Sequence, residues 1–334
     1  MKKLILLLLI CTNINAVCVH EYEIKGYNLL SSIHTLNEDT SYYQKQNGSF
    51  ELIRNLQEIN PTSDYIIQEN QSHIKKDYND RYIKYYQYQR VNEFISELRP
   101  VLTNLNYRTE IIGKSIEGRN LYSIYPKELD PNREVILMFA RHHGDEGTAN
   151  WIVEGFVNKA LKSKEFNQKF QLVLYPMVNP DGAEAKRRYN KNGRDLNRSW
   201  GTEPSRSNDE ISIIQAHLNK VLLSKRKPII ALDMHGSFTE DFIYRVSKNF
   251  SGVDFYNLQQ EFIASLGKRD SWQGGQFYNS NGDKKMSRIL LVRDYRINAL
   301  THESIRDIPL SSSRSLDDLK DQGRFIVDTL IELY

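Results

Sequence analysis

The chain has 334 residues, 40% of them hydrophobic, and a formal net charge of only +3 with acids and bases interspersed. That length accommodates one large domain plus a smaller appendage, and the apolar share is ordinary for a packed core. The near-neutral balance argues against a dedicated nucleic-acid binder, and no stretch beyond the N-terminus is long and apolar enough for a transmembrane helix.

Residues 1–16 read as a secretory signal peptide. Lys2 and Lys3 form a positive start, Leu4 to Ile10 an apolar run too short to span a bilayer, and Ala16 a small residue for cleavage. A lipoprotein signal at Cys11 or Cys18 is the alternative, disfavoured by the bulk of Ile10 and Val17 before them. Cleavage would leave Cys18 alone, so no internal disulfide is expected even in an oxidising compartment. The expected location is periplasmic or secreted in a bacterium, without stable membrane insertion after cleavage.

Residues 17–84 are polar and rich in Tyr and Asn. "NEDTSYYQKQNGS" reads as loop, and "SFELIRNLQEINP" as one short helix ended by Pro61. An accessory domain, a pro-region and a partly ordered extension all remain open. From Tyr85 the texture changes, and residues 85–334 read as the main domain. "RVNEFISELRPVL" has helical spacing at Val91, Phe94, Ile95 and Leu98. "EVILMFA" predicts a buried strand, "TANWIVEGFVNKALKS" a helix, "FQLVLYPMV" a strand, and "DEISIIQAHLNKVLLSK" a helix. "PIIALDM" and "INALTHE" predict further strands. "SLDDLKDQGRFIVDTLIEL" predicts a closing helix, capped by Ser315 with Asp317 and Asp318 at its positive end. Continuous apolar strands separated by helices imply an α/β fold, with a mixed, mostly parallel central sheet covered by helices on both faces.

Sites in open α/β sheets form beyond the carboxyl ends of strands. "ARHHGDEG" lies there, after "EVILMFA". It offers His143 and Glu146 in a His-x-x-Glu frame, and His142 and Asp145 in a competing His-x-x-Asp frame one residue earlier. His235 follows a second strand, "PIIALDM". Two histidines and a carboxylate are a recurring ligand set for catalytic zinc.

Six motifs in order then carry a resemblance: "IGKSIEGR", "ARHHGDEG", "NPDG", "GRDLNRSW", "DMHG" and "THES". From about Tyr85 to the C-terminus the chain resembles the zinc metallocarboxypeptidases of the carboxypeptidase A/B superfamily. "GRDLNR", with Arg188 nine positions before Asn197, is most similar to the bacterial and cytosolic-carboxypeptidase-like branches. The resemblance implies one Zn2+ held by His143, Glu146 and His235, with His142 a supporting residue. It implies Glu303 as the catalytic glutamate and Arg188 as the arginine that polarises the scissile carbonyl, among the neighbouring Lys186, Arg187 and Arg194. It implies Asn197 and Arg198 as the grip on a terminal carboxylate. The formal glycosylation sequon at Asn197 would then line the site and stay unmodified.

Two departures stand out. Several digestive members have arginine where this chain has Asp145, and "HGDE" instead resembles bacterial murein-peptide amidases. The family's mobile tyrosine maps best to Tyr278, less well to Tyr295. Lys284, Lys285 and Arg288 lie in the interval that lines the family's specificity pocket. They would favour an acidic or diaminopimelate terminus there, but read more simply as a solvated basic loop. The expected activity is an exported, monomeric zinc carboxypeptidase acting on peptides with a free C-terminal carboxylate, including peptidoglycan stem peptides. A zinc deacylase of small N-acyl amino acids and a non-catalytic peptide-binding protein are the alternatives.

Overall fold

The computed structural model describes residues 40–46, 49–53, 66–70, 82–201 and 209–334. The segment 1–16, both cysteines and most of 17–84 lie outside the described residues. Two compact units divide the chain, Met1–Lys76 and Asp77–Tyr334.

In the first unit, β1 (Thr40–Gln46), β2 (Ser49–Ile53) and β3 (Ile66–Asn70) form an antiparallel sheet in the order β2-β1-β3. Both local expectations are corrected here: "NEDTSYYQKQNGS" contains β1, and "SFELI" is β2 instead of the start of a helix. Thr, Tyr, Phe and Ile favour extended backbone, and an Asn-Gly pair between two such runs is a hairpin signal. The rest of "SFELIRNLQEINP" lies outside the described residues.

The second unit is built on an eight-stranded sheet ordered β10-β9-β11-β8-β6-β7-β5-β4. Its strands are β4 (Tyr107–Lys114), β5 (Asn120–Pro126), β6 (Glu134–Ala140), β7 (Phe170–Tyr175), β8 (Ile230–Ser237), β9 (Phe242–Arg245), β10 (Phe277–Asn279) and β11 (Ala299–Ile305). The central β7-β6-β8-β11 run is parallel, as is β9-β10, while antiparallel pairings join β4 to β5, β5 to β7 and β9 to β11. The mixed, mostly parallel sheet expected from the sequence is present. The β4–β5 hairpin and the short β9 and β10 are additions to that reading.

Helices cover both faces. On β6, Ile136, Met138 and Ala140 join one core cluster, while Val135, Leu137 and Phe139 join the other. A strand buried on both sides has no polar face to show, which is why "EVILMFA" lacks alternation. The first cluster includes residues of α1 (Tyr88–Asn104), α2 (Thr148–Lys162), α7 (Val253–Arg269) and α9 (Leu316–Leu333). The second includes residues of α5 (Glu210–Leu218) and α8 (Ser287–Tyr295). Short helices α3 (Lys164–Lys169), α4 (Pro180–Ala185) and α6 (Lys248–Ser251) fill connections. Ser315 closes a capping box with Asp318 at the start of α9, as its sequence suggests. No helix of the described residues is long and apolar enough to cross a membrane.

Glycines set the approach of α2 and α9. A Cβ built on Gly155 would lie 1.9 Å from the Lys320 carbonyl oxygen, and one on Gly323 would lie 1.9 Å from that of Ile152. These neighbours are backbone and cannot swing aside. Gly323→Ala should therefore wedge the helices apart and cost about 1–3 kcal/mol, read from urea unfolding. An unchanged midpoint would show that the helix pair slides without cost.

Candidate metal centre

The parallel register sets Ala140 beside Met234 and Glu303 beside His235. The loop leaving β6 therefore begins beside the last residues of β8, where His235 lies, and β11 places Glu303 next to His235. His143, Glu146 and His235 converge: three of their ligating atoms lie within 4.8 Å of one another, and all three residues are buried. His143 Nδ1 is 2.7 Å from Glu146 Oε1, His235 Nδ1 is 2.8 Å from Glu146 Oε2, and the two Nδ1 atoms are 3.2 Å apart.

The far side of each ring explains the orientation. His143 Nε2 faces Asp195 Oδ1 at 3.1 Å, and His235 Nε2 faces Asp233 Oδ2 at 3.0 Å. Each ring thus has a carboxylate on both sides, so a cation that displaced the Nδ1 protons would leave each Nε2–H its outward acceptor. Two inward nitrogens and a carboxylate meeting at one point call for positive charge there, from ring protons or from a bound cation. The set matches the nitrogen and oxygen donors of zinc sites and leaves coordination positions for water or substrate. His143, Glu146 and His235 are thus the residues fitted to hold the ion.

Charge points the same way. Burial would push the Glu146 carboxyl up, but the flanking His143 and His235 rings hold it well below the usual range. Burial would lower His235, yet Asp233 and Glu146 drive it well above the ordinary imidazole value. Asp195, despite burial, is held far down by Arg188 and His143. The pocket draws positive charge to the point that the Nδ1 atoms face.

The competing frame does not assemble. His142 stands with Asp233 at 2.8 Å, and Asp145 accepts from Arg306. Arg188, unlike Lys186, Arg187 and Arg194, reaches the centre. Asp195 Oδ2 takes its Nε at 3.1 Å and Nη2 at 2.8 Å, leaving Nη1 3.2 Å from His143 Nδ1. Arg198 is half-buried, its Nη1 donating to the Asn197 carbonyl at 2.9 Å. Asn197 is buried and its carboxamide turns inward, with Oδ1 accepting from Ser287 N at 2.9 Å. Tyr278 is 47% exposed on the edge strand, its hydroxyl donating to Glu240. Tyr295 ends α8 and packs on the second core. Instead, Tyr244 feels the charge of Glu303, which together with burial raises its phenol. Arg288 departs from the solvated-loop reading: it is 1% exposed at the start of α8, because its guanidinium reaches back to Thr301 Oγ1 and the Ser280 carbonyl.

The other motifs are scaffolding. Asn179 of "NPDG" caps α4 by accepting from Gly182 N, and its Nδ2 holds the carbonyls of His142 and Arg188. A Cβ on Gly144 would sit 2.0 Å from the Gly182 carbonyl carbon, so the ligand loop and α4 touch backbone to backbone. Buried Asp181 accepts from Ser115 Oγ, Glu117 N and Arg119, which anchors "IGKSIEGR" to that helix. Arg141, fully buried with φ +68°, ties Gly144 O, Asn150 Oδ1 and Tyr86 O together from within the loop. Left-handed backbone at a bulky residue is strained and persists where the surroundings over-determine it. Arg141, Asp195, Asp233 and Tyr244 were not singled out in the sequence. The signal for Asp233 was there, since residues two apart on a strand share a face and Asp233 precedes His235 by two.

Residues 94–226 match the zinc carboxypeptidase family. That stretch runs from within α1 through the loop of His143 and Glu146, Arg188 and Arg198, and ends before His235 and Glu303. That part of the chain is similar to a zinc carboxypeptidase. Cytosolic carboxypeptidase 2 of Macaca fascicularis is 26% identical over 246 residues, covering 67% of this chain and 29% of that protein. The Homo sapiens protein of the same name is also 26% identical, with 27% of its length covered. The chain thus spans less than a third of these curated relatives. Among solved structures, a metallo-carboxypeptidase from Burkholderia cenocepacia aligns with TM-score 0.64 at 16% identity, covering 88% of this chain and 80% of that one. A metallo-carboxypeptidase from Pseudomonas aeruginosa, in complex with (2-guanidinoethylmercapto)succinic acid, aligns with TM-score 0.64 at 18% identity and the same coverage. The shared fold is that of the zinc carboxypeptidase domain, and the family implies one zinc ion, for which the converging His and Glu groups supply the donors.

Burial pushes the Glu303 carboxyl up to about 7, with His235 pulling it down and Glu146 pushing it further up. The folded state therefore holds this proton more tightly than the unfolded chain, whose value is 4.5. The sign follows: this group's contribution to stability falls as pH rises from about 4.5 to about 7. In metal-free protein, the stability difference between Glu303→Gln and the native chain should grow in favour of the variant across that window, measured by chemical unfolding at stepped pH. A difference independent of pH would place the titration elsewhere.

Proposed function

We propose that this chain is an exported zinc metallocarboxypeptidase that removes the C-terminal residue of peptides, with peptidoglycan stem peptides as substrates. The observation carrying this reading is the convergence of His143, Glu146 and His235 with Glu303 in register beside His235. When bound, zinc acts as a Lewis acid and makes water a usable nucleophile near neutral pH.

The chain's own groups do the rest. Glu303, ionised at and above its raised pKa, takes the proton of the attacking water and hands it to the departing amine nitrogen. Arg188, fixed by Asp195, directs Nη1 toward the centre and balances the negative charge that grows on the carbonyl oxygen. Removing a donor of that kind costs about 3 kcal/mol of barrier lowering. Arg198 offers a forked pair to the substrate's terminal carboxylate. Asn197 supports Arg198 from behind, since its carboxamide already has inward partners. A carboxylate clamp beside the reacting bond selects the last peptide bond of a chain.

The side-chain preference rests on Arg288. Its guanidinium is buried, Nη2 has no hydrogen-bond partner among the described residues, and burial lowers it to about 10 against the pull of Asp233, Tyr244 and Glu303. A desolvated cation with an open donor favours a carboxylate-bearing terminal residue such as glutamate or diaminopimelate. That preference and the signal-like residues 1–16 support a cell-wall substrate.

Glu303→Gln should abolish hydrolysis of a reporter peptide while metal analysis still finds zinc; retained turnover would remove Glu303 from its role. Amidating the peptide's C-terminus should block cleavage, whereas indifference to amidation would favour the deacylase. Arg288→Met should lower kcat/KM for acidic termini about 10- to 100-fold, the value of a hydrogen bond to a charged group, and spare neutral ones. A muropeptide profile unaltered by deletion of the gene would argue against the cell-wall substrate.

A further inference from the structure

Behind His235 lies a second cluster of metal-capable side chains, His142, Asp233 and His235, all buried. Its hydrogen bonds speak against a second ion. An indole nitrogen can only donate, and Trp200 Nε1 points at His142 Nε2 from 3.0 Å. That nitrogen therefore accepts, so the His142 proton sits on Nδ1 and goes to Asp233 Oδ1 at 2.8 Å. Asp233 Oδ2 takes His235 Nε2 at 3.0 Å, Asn197 Nδ2 at 3.4 Å and the Ser287 hydroxyl. Four donors saturate this carboxylate, and one of the two histidines presents a proton where a ligand would need a lone pair.

We propose that Asp233 is a positioning residue: its charge decides which nitrogen of His235 faces the metal. The inference rests on the assignment of His143, Glu146 and His235 as ligands. Two tautomers of His235 have partners available. With the proton on Nε2, the ring donates to Asp233 and offers a bare Nδ1 to Glu146 and His143. With the proton on Nδ1, the bare Nε2 would accept from Asn197 Nδ2, which lies only 3.1 Å away. The second arrangement puts a proton where the ion belongs. The full charge on Asp233 selects the first, and Trp200 reinforces it by fixing His142 as a donor to the same carboxylate. The same carboxylate anchors Asn197 next to Arg198, and Ser287 next to Arg288. One buried acid therefore touches a metal-capable histidine and the chain neighbours of both arginines assigned to the substrate.

Neutralisation tests this directly. In Asp233→Asn the new amide must turn an NH2 group toward one of its former donors, which favours a bare His235 Nε2. Zinc affinity of the full chain, from competition with a chromophoric chelator, should weaken about 10- to 100-fold. Thermal unfolding of the metal-free variant checks that it is folded. Equal affinity in a folded variant would overturn the proposal, while native protein that binds no zinc would overturn the ligand assignment itself. Should the variant fail to fold, ring 15N shifts of the zinc-loaded native protein decide. Zinc on His235 Nδ1 with the proton on Nε2 supports the proposal, and zinc on Nε2 overturns it.

Discussion

One constraint organises this molecule: three metal-capable side chains, two from the loop after β6 and one from β8, are buried at a single point and cannot rest there without positive charge. His143 and His235 turn Nδ1 inward because Asp195 and Asp233 claim the outer nitrogens, and Glu146 closes the triangle. Around them Asp195 pairs with Arg188, and the charges of Asp233 and Glu303 act on the buried guanidinium of Arg288. Leaving such groups unpaired in a dry interior is costly, so the fold spends much of its hydrogen bonding on holding them in place.

That requirement explains features that look unrelated along the chain. Asp181 draws in Ser115 and Arg119, Asn179 holds the carbonyls of His142 and Arg188, and Gly144 lies against Gly182. Arg141 holds a strained backbone while its guanidinium donates to Gly144 O, Asn150 Oδ1 and Tyr86 O, which ties the loop to α2 and to the segment before α1. The motifs thus divide into groups that face the reaction and groups that hold the loop. The division is invisible in their order along the chain.

The same field differentiates the acids. Glu146 sits between two imidazoles and stays ionised, whereas Glu303 is desolvated and lifted to about 7. Two glutamates of one site thus differ as the proposed mechanism requires, one suited to bind as an anion and one to exchange protons near neutrality. Neighbours and burial make that difference; both residues have the same chemistry in the unfolded chain.

The sequence by itself determined the α/β class and the central strands, because buried parallel strands are continuous apolar runs, and it singled out His143, Glu146 and His235, which the structure brings together. It misread β1 and β2, where local helical and loop cues competed with strand propensity. It left Arg288 in solvent because a run of basic residues looks alike whether one guanidinium turns inward or not. Only the tertiary structure decided which imidazole nitrogen faces inward, that Asp145 pairs with Arg306, that Asn197 turns its amide away from the open site, and that Asp233 receives four donors. Those facts depend on distances between strands that are remote in sequence, set by sheet register and burial, and no local pattern encodes them.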